Sequence, residues 1–370
     1  MAQSKVAIIR TKPETVLDDH ERLFKLADGA KHLDPSIPTI LKDNISWHYP
    51  FPSANTTPWQ LEGTIAALQK NGFRKIVCVQ NKTEVTNAYK GERLNLYPPI
   101  FKAYNIEVLF NFKDTDMKWV LYKPKAKMLV LNKIYRNAIR IPDYFIGKNM
   151  LHLPTAKCHI YTETTGAMKN AFGGLLNHKR HQTHTYIHET LVDLLAIQKE
   201  IHPGIFCVMD GTTAGNGGGP RIMTPFQKDV ILASADQVAI DAVAAKIMGF
   251  DPMKLKYINL AHNAGLGVGD PRDIKIVGDA DLINENWGFR VQKIFHRRVA
   301  DVTWFGPTRF LQGILTRPPI LYLGNFYSFF YHDVLHWPFR EKKIYERWLK
   351  ESPWGRLFTK YGAQGTLGVR

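Results

Sequence analysis

The chain has 370 residues, 45% of them hydrophobic and 22% charged, with a formal net charge of +16. That length allows a well-buried core and one large or two ordinary domains, and the composition is ordinary for a soluble globular protein. No apolar run reaches 18 residues, which excludes a helical membrane span, and Cys78, Cys158 and Cys207 have neither metal-site spacing nor an even disulfide count.

The start of the chain, Met1-Ala2-Gln3-Ser4-Lys5, runs into a strand-like Val6-Ala7-Ile8-Ile9-Arg10 with no apolar leader core. With three scattered cysteines, this makes a reducing cytoplasm the expected location. The excess charge sits in two blocks. Residues 117–150 carry eight Lys/Arg against Asp143 alone, and residues 291–370 carry 13 against five acids. Such blocks either form a solvated basic surface or attract acidic partners, anionic lipid or nucleic acid.

In chain order, Val6–Arg10 and Pro38–Ser46 read as strands. Pro58 to Asn71 reads as a helix, with Thr57 as cap, Pro58 in the first turn and Leu61, Ile65 and Leu68 at helical spacing. Ile76–Val79 is a buried strand, and Ile106–Phe110 and Met128–Leu131 are further apolar runs. Tyr186 to Ile201 reads as an amphipathic helix, followed by a strand Ile205–Met209 that stops at Asp210. Val230–Ala233, a helix from Asp236 to Met248 ended by Gly249, and Ile274–Val277 complete the series. Alternation of this kind predicts an α/β fold with a mainly parallel sheet and flanking helices, in which ligands sit beyond the carboxyl ends of strands. Beyond about residue 290, aromatic residues from Trp304 to Tyr331 crowd among Arg and Lys, and Pro307, Pro318, Pro319 and Pro338 are expected to break any long helix. The chain therefore divides into an α/β domain, 1–290, and a basic, aromatic C-terminal extension, 291–370.

Chemistry-bearing residues concentrate between Lys157 and Pro220. The stretch Gly211–Gly219 holds five glycines in nine residues. At roughly 0.5–1 kcal/mol per glycine relative to alanine, they are kept either for mobility or because the backbone approaches something closely. Gly217, Gly218 and Gly219 are then candidate anion contacts through their amides. Lys169-Asn170 sits in a mildly apolar helix between Gly166 and Gly173. The lysine reads either as a desolvated amine, able to act as base or anion clamp, or as a surface lysine covering apolar neighbours. His152, His159, His178, His181, His184 and His188 resemble metal ligands in spacing, but no acid or cysteine is interleaved and Lys179-Arg180 opposes a cation, so no metal is assigned. Asp210, Asp236 and Asp241 are candidates for acid–base or cation contacts, and Asp236 equally fits a helix N-cap.

The ordered set Lys42-Asp43-Asn44, Thr56-Thr57-Pro58, Leu153-Pro154-x-x-Lys157-x-His159, Thr165-Gly166-Ala167-Met168-Lys169-Asn170-x-x-Gly173, Asp210-Gly211, Gly218-Gly219-Pro220, Ala233-Ser234-x-Asp236-x-Val238-Ala239-x-Asp241-Ala242 and Leu266-Gly267 resembles the family catalogued as domain of unknown function 362, over residues 38–280. Many members carry ferredoxin-like cysteine motifs beside this domain. This chain has none, so no iron–sulfur cluster is expected, and any other cofactor stays unassigned. A more distant likeness is to the two-lobed α/β fold of the lactate racemase family, whose nickel-cofactor residues do not map onto these positions.

The resulting expectation is an enzyme acting on an anionic small molecule in a cleft. Lys157 and Lys169 orient the anion, with Lys42, Asn44, Asn170, Asp236 and Asp241 nearby. The glycine stretch caps it, and His159 or Asp210 moves a proton. Two alternatives stand beside it: a non-catalytic nucleotide- or cofactor-binding protein, and a redox or assembly accessory docking through the basic extension. For that extension, packing against the body or a partner protein is favoured over an anionic membrane surface, because prolines interrupt it and its cations cluster after the aromatics. Nucleic acid ranks below both, since residues 321–339 hold no Lys or Arg.

Overall fold

The computed structural model describes residues 4–83, 85–136, 138–292, 298, 301–302, 306 and 320–369; of these, the side chains of residues 178, 179, 181 and 321 are not described. Twelve strands appear among them, in chain order β1 (Lys5–Arg10), β2 (Thr39–Lys42), β3 (Ile76–Gln80), β4 (Glu107–Phe110), β5 (Trp119–Leu121), β6 (Arg140–Pro142), β7 (Asn149–His152), β8 (Thr155–His159), β9 (Glu163–Thr164), β10 (Ile205–Asn216), β11 (Thr224–Ser234) and β12 (Lys275–Gly278). Ten form one sheet in the order β12-β1-β11-β10-β7-β2-β3-β4, with β8 beside β10 and β9 beside β8. Pairings β2–β3, β3–β4, β2–β7, β7–β10, β8–β10 and β1–β12 are parallel; β11 runs antiparallel to both β1 and β10. The fold is the expected α/β class with a mainly parallel sheet.

Two cores cover the two faces. Side chains alternate along a strand, so Val6 and Ile8 enter one core while Ala7 and Ile9 enter the other. The first core is closed by the helices Ile187–Ile201, Gln237–Met248 and Lys256–Asn263. The second is closed by Val16–Leu26, Pro58–Lys70 and Tyr97–Ala103. Pro58–Lys70 begins as its sequence dictates. Thr57 accepts the Gln60 amide, and the Gln60 side chain returns to the Thr57 amide.

Two sequence expectations are corrected. β10 does not stop at Asp210 but runs on to Asn216, because β11 pairs along its whole length, with a register shift between Gly211 and Thr213. Only Gly217, Gly218 and Gly219 of the five glycines lie outside a strand. The apolar run Met128–Leu131 leads into a helix. The Asp193 carboxylate accepts the amides of Leu129, Val130 and Leu131 and turns the chain into the helix Leu131–Tyr135.

The second correction concerns the extension. Residues 320–351 form one uninterrupted helical run, α-helical over Ile320–Phe329, wound to a π register over Phe330–Glu341, and α-helical again over Lys342–Glu351. Pro338 sits inside it without breaking it. A proline removes its own amide donor and its ring crowds the carbonyl one turn earlier; here it falls in the wider π turn. Pro307, Pro318 and Pro319, with the aromatics read from Trp304 to Leu315, lie outside the described residues.

The extension packs on the body. Trp354 and Tyr361, from the helix Pro353–Gln364, are buried beside Trp59, and Tyr361 donates to Glu62 at 2.6 Å. Upstream, Asp333 accepts the Trp47 indole N–H at 2.6 Å, and Trp337 stacks on Tyr49 with centroids 4.1 Å apart.

Candidate functional site

A cavity of about 470 Å³ lies beyond the carboxyl ends of β2, β3 and β7. Lys42 and Asn44 reach it from the end of β2, Asn81 and Thr83 from the end of β3, and Pro154, Thr155, Lys157 and His159 from β7 and β8. The short helix Ala167–Asn170 contributes Lys169 and Asn170, and the turn after β10 contributes Gly218, Gly219 and Arg221. Arg180 and His184 close one side; Leu323, Tyr327, Ser328 and His332 of the C-terminal helix close another. Five of the lining side chains are Lys or Arg, and among the described lining residues none is Asp or Glu.

The cations are held differently. Lys42 donates to the Asp43 carbonyl and lies 3.5 Å from its carboxylate, so it is internally paired. Lys157, 1% exposed, donates to two neutral acceptors, the Ala54 carbonyl at 2.6 Å and the Thr155 hydroxyl at 2.8 Å. Burial, reinforced by Lys169, pulls its pKa well below the ordinary lysine value. The Lys169 amine has no hydrogen-bond partner among the described residues and sits 5.9 Å from the Phe172 ring centroid. Burial, with Arg180 adding repulsion, lowers it to about 8. Among the described residues Arg221 donates to the Ser328 hydroxyl, at 3.4 Å, and feels the Asp333 carboxylate. Its buried Nη1 has no partner among the described residues, and burial lowers the guanidinium to about 10. His159 Nδ1 accepts the amides of Tyr161 and Thr162, which places the proton of a neutral ring on Nε2.

Of the residues singled out in the sequence, Lys42, Asn44, Lys157, His159, Lys169, Asn170, Gly218 and Gly219 come together here. Gly217, Asp210, Asp236 and Asp241 do not line the cavity. The three carboxylates face backbone and side-chain donors instead. Asp210 accepts the Thr57 hydroxyl and the Thr212 amide. Asp236 caps Gln237–Met248 through the Val238 and Ala239 amides and also binds the Val268 amide and the Ser4 hydroxyl. Asp241 accepts the amides of Ala167 and Met168 at 2.6 and 3.1 Å, and so fixes the start of the helix that carries Lys169. A side-chain carbon on Gly166 would fall 2.0 Å from that carboxylate, and one on Gly219 would fall 1.9 Å from the Cys158 carbonyl. These glycines are kept for close approach.

The sequence reading missed Arg221 and the cap formed by Tyr327, Ser328 and His332. A signal for Arg221 was present: it follows directly on the Gly218-Gly219-Pro220 turn. The histidines divide. His184 faces the cavity, His188 lies 6.3 Å from the Tyr257 ring, and His152 is buried against Gln198 and Asn170, with its pKa lowered by burial to about 3. Among the described residues no group of three or more His, Cys, Asp or Glu is placed to hold a metal ion. Cys78, Cys158 and Cys207 are buried and unpaired.

The model of the family described as Domain of unknown function (DUF362) matches residues 39–246. The chain belongs to this family. No curated protein and no solved structure matches it. The DUF362 segment supplies every lining residue from Lys42 to Arg221, whereas Leu323, Tyr327, Ser328 and His332 lie beyond it. The walls of the cavity are thus the family's, and its cap comes from the C-terminal extension. The DUF362 match ends before Leu266-Gly267, whose backbone abuts the Asp236 cap.

Proposed function

We propose that the protein is an enzyme that binds an anionic small molecule in this cavity and moves a proton on it. The observation that carries the reading is the lining itself, with five Lys or Arg side chains and no carboxylate among the described lining residues. Buried like charges repel and are costly to desolvate; a bound phosphate or carboxylate offsets both costs. Lys157 and Arg221 are the anion clamps, with the backbone of Gly218 and Gly219 alongside. Lys169, with its pKa near 8, holds a useful fraction of neutral amine and serves as the base; His159 Nε2 serves as the proton donor. Asp210 is left out of the chemistry because its oxygens are taken by Thr57 and Thr212. The buried thiols of the three cysteines are consistent with action in the cytoplasm.

Calorimetric titration with phosphate, pyrophosphate and a 2-hydroxy acid tests this. An anion stabilises the protonated amine, so binding raises the Lys169 pKa from about 8. Between about pH 8 and 10 each binding event should therefore take up protons, visible as a dependence of the heat on buffer ionisation enthalpy, and affinity should weaken as pH rises through that window. Binding without proton uptake at pH 9 would remove Lys169 from the site.

A further inference from the structure

The helical run that caps the cavity is inside-out. A surface helix normally turns its apolar stripe to the core and its polar face to water. Here the buried positions include the polar Ser328, His332 and Asp333, while Tyr322, Leu323, Phe326, Phe329, Phe330 and Phe339 are between 42% and 70% exposed. Tyr322, Leu323, Phe326, Phe329 and Phe330 recur at spacings of three and four residues, which puts them on one outward stripe. From Ile320 to Phe339 the only charged residue is Asp333, which is turned inward to the Trp47 indole.

Cations flank this stripe on both sides in sequence. Residues 291–319 carry five Lys/Arg against Asp301, and residues 340–350 carry five against Glu341 and Glu346. Arg340 and Lys342 have well-exposed side chains, and Glu341 is buried. An outward aromatic and aliphatic face continued by the exposed cations of residues 340–350 complements an anionic bilayer surface, where rings settle at headgroup depth and lysines and arginines meet the phosphates. Among the described residues no helix is long and apolar enough to cross a membrane, so the contact is interfacial. The objection from sequence, that prolines interrupt the segment, does not hold at Pro338, where the helix continues.

We infer that the outward face of residues 320–339 docks the protein on the surface of an anionic membrane. Leu323 and Ile320 belong both to this face and to the cavity lining, so docking sets the cavity rim against the lipid headgroups. The docking surface is independent of the anion reading above.

Flotation of the full-length protein with vesicles tests it, using phosphatidylcholine alone and phosphatidylcholine mixed with phosphatidylserine. The protein should float with the mixed vesicles, and less as salt rises. Phe326→Ser/Phe330→Ser should melt like the parent, since both rings are exposed and stack mainly on each other at 6.2 Å, yet partition at least about tenfold more weakly. Lys342→Glu/Lys343→Glu should weaken binding to the mixed vesicles only. No flotation with either composition, or flotation unchanged by the double serine variant, would overturn the inference. So would sedimentation showing a parent dimer that this variant converts to monomer, because the face would then be covered by a second copy.

Discussion

Asp241→Ala is expected to lower stability by about 2–6 kcal/mol, the cost of leaving two buried amides without an acceptor at about 1–3 kcal/mol each. The two amides are those of Ala167 and Met168, which open the short helix carrying Lys169. The same variant should weaken anion binding, because Lys169 loses its fixed backbone. Urea denaturation read with an anion titration checks both, and a variant with the parent's midpoint and affinity would contradict this role. The carboxyl group also has a pH signature. Burial raises its pKa from 3.8 to about 7, so the folded protein binds a proton that the unfolded chain has already released. This contribution is fully present below about pH 4 and is lost as pH rises to about 7. Asp241→Asn should flatten that part of the stability profile.

Lys157→Met is expected to act on binding rather than on folding. The ammonium is buried against two neutral acceptors and meets no carboxylate among the described residues. A buried charge without a counter-charge costs several kcal/mol, while methionine is unbranched and fills irregular gaps well. The melting temperature without ligand should therefore not fall, even though the Ala54 carbonyl and Thr155 hydroxyl lose a donor. Anion affinity should drop by about ten- to a hundredfold, corresponding to a charge-assisted contact of about 1.5–3 kcal/mol. Parent-like affinity would return Lys157 to a purely structural role.

The parts of the fold legible in the sequence were those set by local pattern. The strand at Ile76, the capped helix after Thr57 and the helix ended by Gly249 carry period, cap and stop within one window. The parts that were not legible are set by distant partners. β10 continues through its glycines because β11 and β8 pair with it, and Leu131 starts a helix because Asp193 grips three amides from 62 to 64 positions away. The candidate site divides in the same way. Lysines, histidine and glycines grouped in the sequence do line one cavity. Asp210, Asp236 and Asp241 stood out as candidates for acid–base or cation contacts, but sequence cannot distinguish a carboxylate facing a ligand from one holding backbone amides. Tyr327, Ser328 and His332 reach the cavity from more than a hundred positions beyond Arg221, with no local mark of that return.

The central claim is that the cavity holds an anion, and tungstate, an electron-dense analogue of phosphate, tests it most directly. Crystals of the full-length protein soaked in tungstate should show anomalous density within hydrogen-bonding distance of Lys157, Lys169 or Arg221, and Lys157→Met/Lys169→Ala crystals should not. Density only at exposed lysines, or equal density in the cavity of both proteins, would contradict the account.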